Sequence, residues 1–259
     1  MGLLVEKIAK ELIDAENHQY SVAPLTERFS ELDVSDAYQI QLEVIGKKLK
    51  EGHKVIGKKV GLTSKAMQQM LGVDEPDYGH LLDTMKIADE ATIKIADFIS
   101  PKVEAEIGFI LEEDLVGPNV NYLDVLMATK YVVPTIEIID SRISDWKIKL
   151  VDTVADNGSS ARVVVGKKLS KITGLDLRAQ GMVLYKNDEL MTSGTGTAAL
   201  GHPAQAVAWL ANKLHEFGIT LKAGELILPG ALSGAIAVKE GDTILADFGP
   251  LGNVSVTFK

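Results

Sequence analysis

Two glutamates set two residues apart inside an apolar run, P-K-V-E-A-E-I-G-F-I-L from Pro101 to Leu111, constrain this chain more than any other stretch. Such a run reads as a strand. On a strand Glu104 and Glu106 point to one face, while Val103, Ala105 and Ile107 take the other. Their Cβ atoms then stand roughly 6–7 Å apart, two strand rises. Carboxylates that close repel unless a proton or a cation sits between them. A second apolar run, T-I-E-I-I-D, brings Glu137 as a third possible oxygen ligand. Three carboxylates on rigid strands suit a hard divalent ion, Mg2+ or Mn2+, with coordination positions left open. The plainer reading makes them solvent-facing charges on half-exposed strands, and E-x-E alone does not separate the two.

Composition removes several competing chemistries. The chain has no cysteine, which excludes disulfides, zinc–thiolate sites and a cysteine nucleophile. Its net charge is −9 and it has no basic stripe, so neither nucleic acid nor an anionic membrane is the expected partner. The doublets Lys58-Lys59 and Lys167-Lys168 are too short to make a patch. No apolar run approaches the length of a membrane span, and a cytoplasmic protein is expected. A chain of 259 residues is long enough for a large core with an N-terminal appendage. The expected division is a helical segment over 1–52 and a catalytic domain over 53–259.

In the first segment Leu4, Ile8, Leu12 and Ile13 recur at helical spacing up to about Asn17. After Pro24, Ser35 is the expected cap of a second helix carrying Tyr38, Leu42, Ile45 and Leu49. From Val55 to Leu62 the pattern is strand-like, with Gly57, Lys59 and Gly61 on one face and Lys58 on the other. Glycines beside a lysine leave room for a ligand to approach an ammonium group, but alternation does not choose between Lys59 and Lys58. Ser64 caps a short helix that ends at Gly72, and E-P-D-Y-G reads as a turn in which Asp74 and Asp77 are ordinary turn formers. Further on, Asn121 to Lys130 is a short helix. Arg142 is placed to pair with a carboxylate, and A-D-N-G-S-S is a turn able to offer amide donors. The glycines of S-G-T-G-T-A-A-L-G-H-P do not fit a dinucleotide or P-loop motif. That loop leads instead into a helix opened by Pro203, with His202 as a capping residue. From Gly224 onward short strands alternate with glycine turns, and the small residues of L-P-G-A-L-S-G-A let backbone approach a ligand. The whole pattern suggests an α+β domain whose sheets roll around a core.

Taken together, G-K-K-V-G-L-T-S, L-G-V-D-E-P-D-Y-G, P-K-V-E-A-E-I, E-I-I-D-S-R-I-x-D-W and D-T-V-A-D-N, in that order, resemble the hydratase/decarboxylase family. Its members are 2-hydroxypenta-2,4-dienoate (2-keto-4-pentenoate) hydratases and 4-oxalocrotonate decarboxylases of aromatic meta-cleavage pathways. The resemblance covers nearly the whole chain. It implies the fumarylacetoacetase-like fold, a mixed β-sheet roll with an N-terminal helical segment. It also implies Glu104, Glu106 and Glu137 as ligands of the divalent metal and Lys59 as the active-site lysine. Ser159, and Leu62 just past Gly61, are implied to border the substrate pocket. Self-association, and association with the sister enzyme, are expected of such a protein.

A 2-oxo acid offers a C1 carboxylate and a C2 carbonyl oxygen to one metal ion, which stabilises charge developing on the C2 oxygen. The hydratase reading then adds water at C4 of the dienoate substrate. The decarboxylase reading uses the same electron sink to release CO2 from a terminal carboxylate. Lys59 is the first candidate for the acid or base, and Asp77 the second. L-G-H-P-x-x-A-V-A-W-L-A-N and the segments around Asp77 and Arg142 look closer to hydratases, while G-T-G-T-A-A-L-G-H-P looks equally like a decarboxylase. A carbon–carbon hydrolase would need a His/Glu pair, and no histidine is near the glutamates in sequence. A non-catalytic subunit that only binds the 2-oxo acid is the remaining alternative.

Overall fold

A computed structural model of the chain describes residues 2–259, without the side chains of Met70 and Leu71. Three helices come first: α1 (Gly2–His18), α2 (Leu25–Arg28) and α3 (Val34–Lys50). β1 (Val55–Gly61), α4 (Lys65–Leu71), β2 (Asp77–Leu82), β3 (Lys86–Ala88) and β4 (Ala91–Ile93) follow. The middle of the chain supplies β5 (Lys102–Leu111), α5 (Tyr122–Ala128), β6 (Thr129–Ile139), α6 (Leu150–Ala155) and β7 (Ser160–Val165). Last come β8 (Gly181–Lys186), β9 (Glu189–Thr195), α7 (Pro203–His215), β10 (Leu226–Leu228), β11 (Ile236–Ala237), β12 (Thr243–Asp247) and β13 (Asn253–Phe258).

Among the described residues these strands form two sheets. The larger runs β2-β1-β10-β5-β6-β7-β3, with β11 also paired to β5, and the smaller runs β4-β13-β12-β8-β9. The long strands β5 and β6 sit at the centre of the larger sheet, and β6 contacts β12 and β13 of the smaller one. Apolar side chains of both sheets, of α7 and of the N-terminal helices (Ile8, Leu12, Ile40) join one buried cluster. This is the mixed α+β roll expected of the sequence. Among the described residues no helix is long and apolar enough to cross a membrane.

The helix ends follow local chemistry, with one correction. α3 is capped by Asp33 rather than Ser35. The Asp33 carboxylate accepts from Asp36 N at 2.9 Å, and Asp36 accepts in return from Asp33 N at 3.3 Å. This reciprocal box satisfies two amide donors where a serine two residues later would lie inside the first turn. Ser64 caps α4 and Gly72 ends it in the left-handed conformation, and His202 caps α7 ahead of Pro203, all as expected. The second correction is at E-P-D-Y-G. Asp77 does not belong to a turn; it opens β2 and is buried, its backbone paired opposite Gly61.

Candidate metal centre

β5 and β6 pair antiparallel, so that Glu104 stands directly opposite Glu137, and Glu106 opposite Thr135. Strand alternation keeps all three glutamates on one face, and one carboxylate oxygen from each lies within 4.8 Å of the other two. Glu106 and Glu137 are buried and Glu104 half-buried, so they are not the solvent-facing charges of the plainer reading. Like charges directly opposed across a ladder destabilise it, and burial adds to the cost. Burial, then repulsion from Glu137, push the Glu104 carboxyl up to about 7 against the pull of Lys59. Burial and the other two glutamates hold Glu106 well above the usual range, and burial also raises Glu137 although Lys59 opposes it.

Hydrogen bonds do little to relieve this crowding. The Gly230 amide donates to Glu106 Oε2 at 2.7 Å, whereas both oxygens of Glu137 are buried with no donor. A buried acceptor left unpaired costs its full desolvation. Three converging carboxylates with orphaned oxygens, and no nitrogen or sulfur donor among them, have the chemistry of a hard divalent cation site. Glu104, Glu106 and Glu137 therefore fit such an ion.

Lys59 reaches the same face from β1, with Nζ 3.9 Å from Glu137 Oε1. Burial alone would push its ammonium down, but Glu137, Asp77, Glu104 and Glu106 outweigh that and hold it above the ordinary lysine value. The rival lysine is accounted for otherwise. Lys58 points to the opposite face and is bound by both oxygens of Glu225, at 2.6 and 2.7 Å.

Asp77 lies beside Lys59 because Gly61 has no side chain: a Cβ there would sit 2.1 Å from Asp77 Oδ1 and 3.1 Å from Lys59 Nζ. Thr153 donates its hydroxyl to Asp77 Oδ2 at 3.2 Å, while Asp77 Oδ1 has no partner. An ammonium donor and an open carboxylate acceptor thus meet at one point.

These groups close one end of a cavity of about 550 Å³. Leu62, Met67, Ile139, Trp146 and Ile148 give it apolar walls, and Ser159, whose hydroxyl is buried and without a hydrogen-bond partner, also lines it. Small residues from Ala231 to Ala235 form another wall, as their lack of bulk suggested. The structure thus brings Lys59, Asp77, Glu104, Ser159 and Leu62 together on the cavity, with Glu106 and Glu137 beside Glu104. Arg142 lies outside it and is a structural pair with Asp156, Nε to Oδ1 2.5 Å.

Among the lining residues that sequence reasoning did not single out are Lys102, Trp146 and Thr153. Lys102 shares the β5 face of Glu104, and its Nζ stands 4.0 Å from the centre of the Trp146 ring. The i−2 spacing from Glu104 was a usable signal for Lys102. Trp146 carried no such signal, because its place depends on a loop in which Asp145 and Trp146 take φ of 57° and 55°.

A model of the fumarylacetoacetate hydrolase C-terminal domain matches residues 54–259. The chain belongs to the fumarylacetoacetate hydrolase family. Within that family it is 46% identical over 256 residues to 2-hydroxyhexa-2,4-dienoate hydratase of Comamonas testosteroni, covering 98% of this chain and 97% of that one. It is 45% identical over 254 residues to 2-keto-4-pentenoate hydratase of Paraburkholderia xenovorans, covering 98% and 94%. The solved structure of 4-oxalocrotonate decarboxylase from Pseudomonas putida G7, complexed with magnesium and adipate, superposes with a TM-score of 0.98 at 38% identity, covering 100% of this chain and 98% of that one. Among the described residues no histidine lines the cavity.

Proposed function

We propose that the protein is a metal-dependent hydro-lyase that adds water to 2-hydroxypenta-2,4-dienoate, yielding 4-hydroxy-2-oxopentanoate, in the catabolism of aromatic compounds. The observation that carries the reading is the convergence of three strand-borne carboxylates with Lys59 and Asp77 at the end of a largely apolar cavity. The likeness to hydratases over nearly the full chain supports it.

Glu104, Glu106 and Glu137 hold Mg2+ or Mn2+ in this reading. Bound there, the ion supplies a Lewis acid for the negative charge that develops on the C2 oxygen of a 2-oxo acid. The apolar walls take the hydrocarbon part of the substrate and limit the water that reaches it. Lys59 is kept protonated by the surrounding carboxylates; once their charge is compensated, burial dominates and the ammonium becomes a better proton donor. Asp77 Oδ1, open beside it, accepts a proton or orients the attacking water, with Thr153 fixing the other oxygen. Ser159 Oγ and the wall at Leu62 contact the substrate. Residues 53–259 form the catalytic unit and 1–52 a helical brace. The protein works in the cytoplasm as a homo-oligomer, alone or with its sister enzyme.

One observation favours a second reading. Lys102 is a cation at the cavity wall beside an indole, placed to receive a second carboxylate. That is the need of 4-oxalocrotonate decarboxylation. Incubating the magnesium-loaded protein with each substrate separates the two. Loss of dienoate absorbance without CO2 supports the hydratase; CO2 release from the dicarboxylate, with the dienoate untouched, replaces it with the decarboxylase.

A further inference from the structure

The turn that carries Ser159 has an unusual backbone. Asn157, Gly158 and Ser159 have φ of 55°, 58° and 55° in succession. Glycine adopts this left-handed region freely and asparagine more readily than most residues, but Ser159 is held there at an energetic cost, and three such residues in a row need something to keep them in place.

β2 supplies it. As an edge strand of the larger sheet, β2 has one row of backbone groups without a strand partner. The Asn157 side chain fills part of that row, its Oδ1 accepting from His80 N at 2.8 Å and its Nδ2 donating to His80 O at 2.9 Å. A side-chain amide thereby makes the two-point contact that a neighbouring strand would make. Gln41, fully buried on α3, continues the edge by donating Nε2 to Tyr78 O at 2.9 Å and to Val154 O at 2.8 Å. With both amide protons used, Gln41 Oε1 accepts, so the His80 ring donates Nδ1–H to it at 3.1 Å. Gln41, His80 and Asn157 are buried and none of them lines the cavity.

The other side of the same turn is the site itself. A Cβ on Gly158 would sit 2.9 Å from Lys59 Cε and 3.0 Å from Nζ, so the turn backbone packs directly against the lysine. The next residue presents the unpartnered Ser159 hydroxyl.

We propose that Asn157 is a positioning residue: by pairing with the free edge of β2 it locks the left-handed turn that confines Lys59 and presents Ser159. The proposal rests on the reading in which those two residues meet the substrate. It reaches the reaction through them, since Asn157 itself touches neither the cavity nor the three glutamates.

Asn157→Ala and Asn157→Gly test it as a pair. Both remove the amide, but only glycine also removes the strain at φ of 55°. The expected result is that Asn157→Gly is the more stable of the two, while both lose at least tenfold in kcat with KM and the Mn2+ dissociation constant changed less than threefold. A purely structural role requires activity to return with stability in the glycine variant. A crystal structure of magnesium-loaded Asn157→Gly gives a readout independent of turnover, with the turn at residues 157–159 and the Lys59 side chain expected to be displaced. An unmoved turn, or kcat within twofold of the parent, overturns the proposal. A parent protein lacking both lyase activities would instead overturn the functional reading and leave the crystallographic arm to decide this one.

Discussion

Two buried charge clusters flank the end of β6, and they are built on opposite principles. At Arg142 every strong group is matched. The guanidinium donates Nε to Asp156 Oδ1 at 2.5 Å, Nη1 to Asp140 O at 2.7 Å and Nη2 to Asp156 O, while Asp156 Oδ2 accepts from Arg142 N at 3.0 Å. At Glu137 three carboxylates converge, one ammonium stands 3.9 Å from Glu137 Oε1, and neither Glu137 oxygen makes a full hydrogen bond. A saturated buried pair is complete within the chain and serves structure. An unsaturated cluster of one sign is tolerated where a ligand completes it. Burial alone does not mark a site; burial with unmet bonding capacity does.

The comparison breaks most sharply at Glu137. Glu137→Gln is expected to lower kcat/KM at least a thousandfold and to weaken Mn2+ binding, while the melting temperature in chelator stays level or rises, because a buried like charge is gone. Arg142→Met should do the reverse. It leaves Asp156 buried and unpaired, a loss on the order of 3–5 kcal/mol, visible in urea unfolding, with metal affinity unchanged in the folded fraction.

A smaller effect comes from pH. The Glu104 carboxyl is raised from 4.5 to about 7, so the folded, metal-free protein holds this proton more tightly than the unfolded chain does. The Glu104 contribution to the stability of the metal-free form therefore falls as pH rises from about 4.5 through about 7, and the raised carboxyls of Glu106 and Glu137 act in the same direction. Magnesium replaces the proton. The melting-temperature gap between magnesium-loaded and chelator-treated protein should widen across that window, and a gap that narrowed would contradict the assignment. Least of all, Lys102→Met is expected to leave KM for the dienoate within threefold. A large rise would mean that Lys102 serves the metal-side carboxylate rather than a distant one.

Much of this contrast was legible in the chain. The period of E-x-E put Glu104 and Glu106 on one face, and a second apolar run brought in Glu137, because strand alternation is a local property. What lay beyond reach was set by partners distant in sequence. Strand alternation left Lys59 and Lys58 open and the family resemblance pointed to Lys59; the physical reason lies in Glu225, 167 residues from Lys58, which claims the wrong-facing lysine. Asp77 looked like a turn former because P-D-x-G is good turn chemistry, yet pairing with β1 draws it into a strand. Lys102 shares the Glu104 face by the same two-residue period and was legible, whereas the edge of β2 became visible only with the sheet order.

The central claim is that Glu104, Glu106 and Glu137 together hold a divalent cation. Anomalous diffraction from a crystal soaked in Mn2+ tests it directly. The expected result is one strong peak at about 2.0–2.3 Å from an oxygen of each glutamate, near the spacing of hard-cation sites. A peak elsewhere, or three carboxylates with no anomalous density among them, would contradict the account.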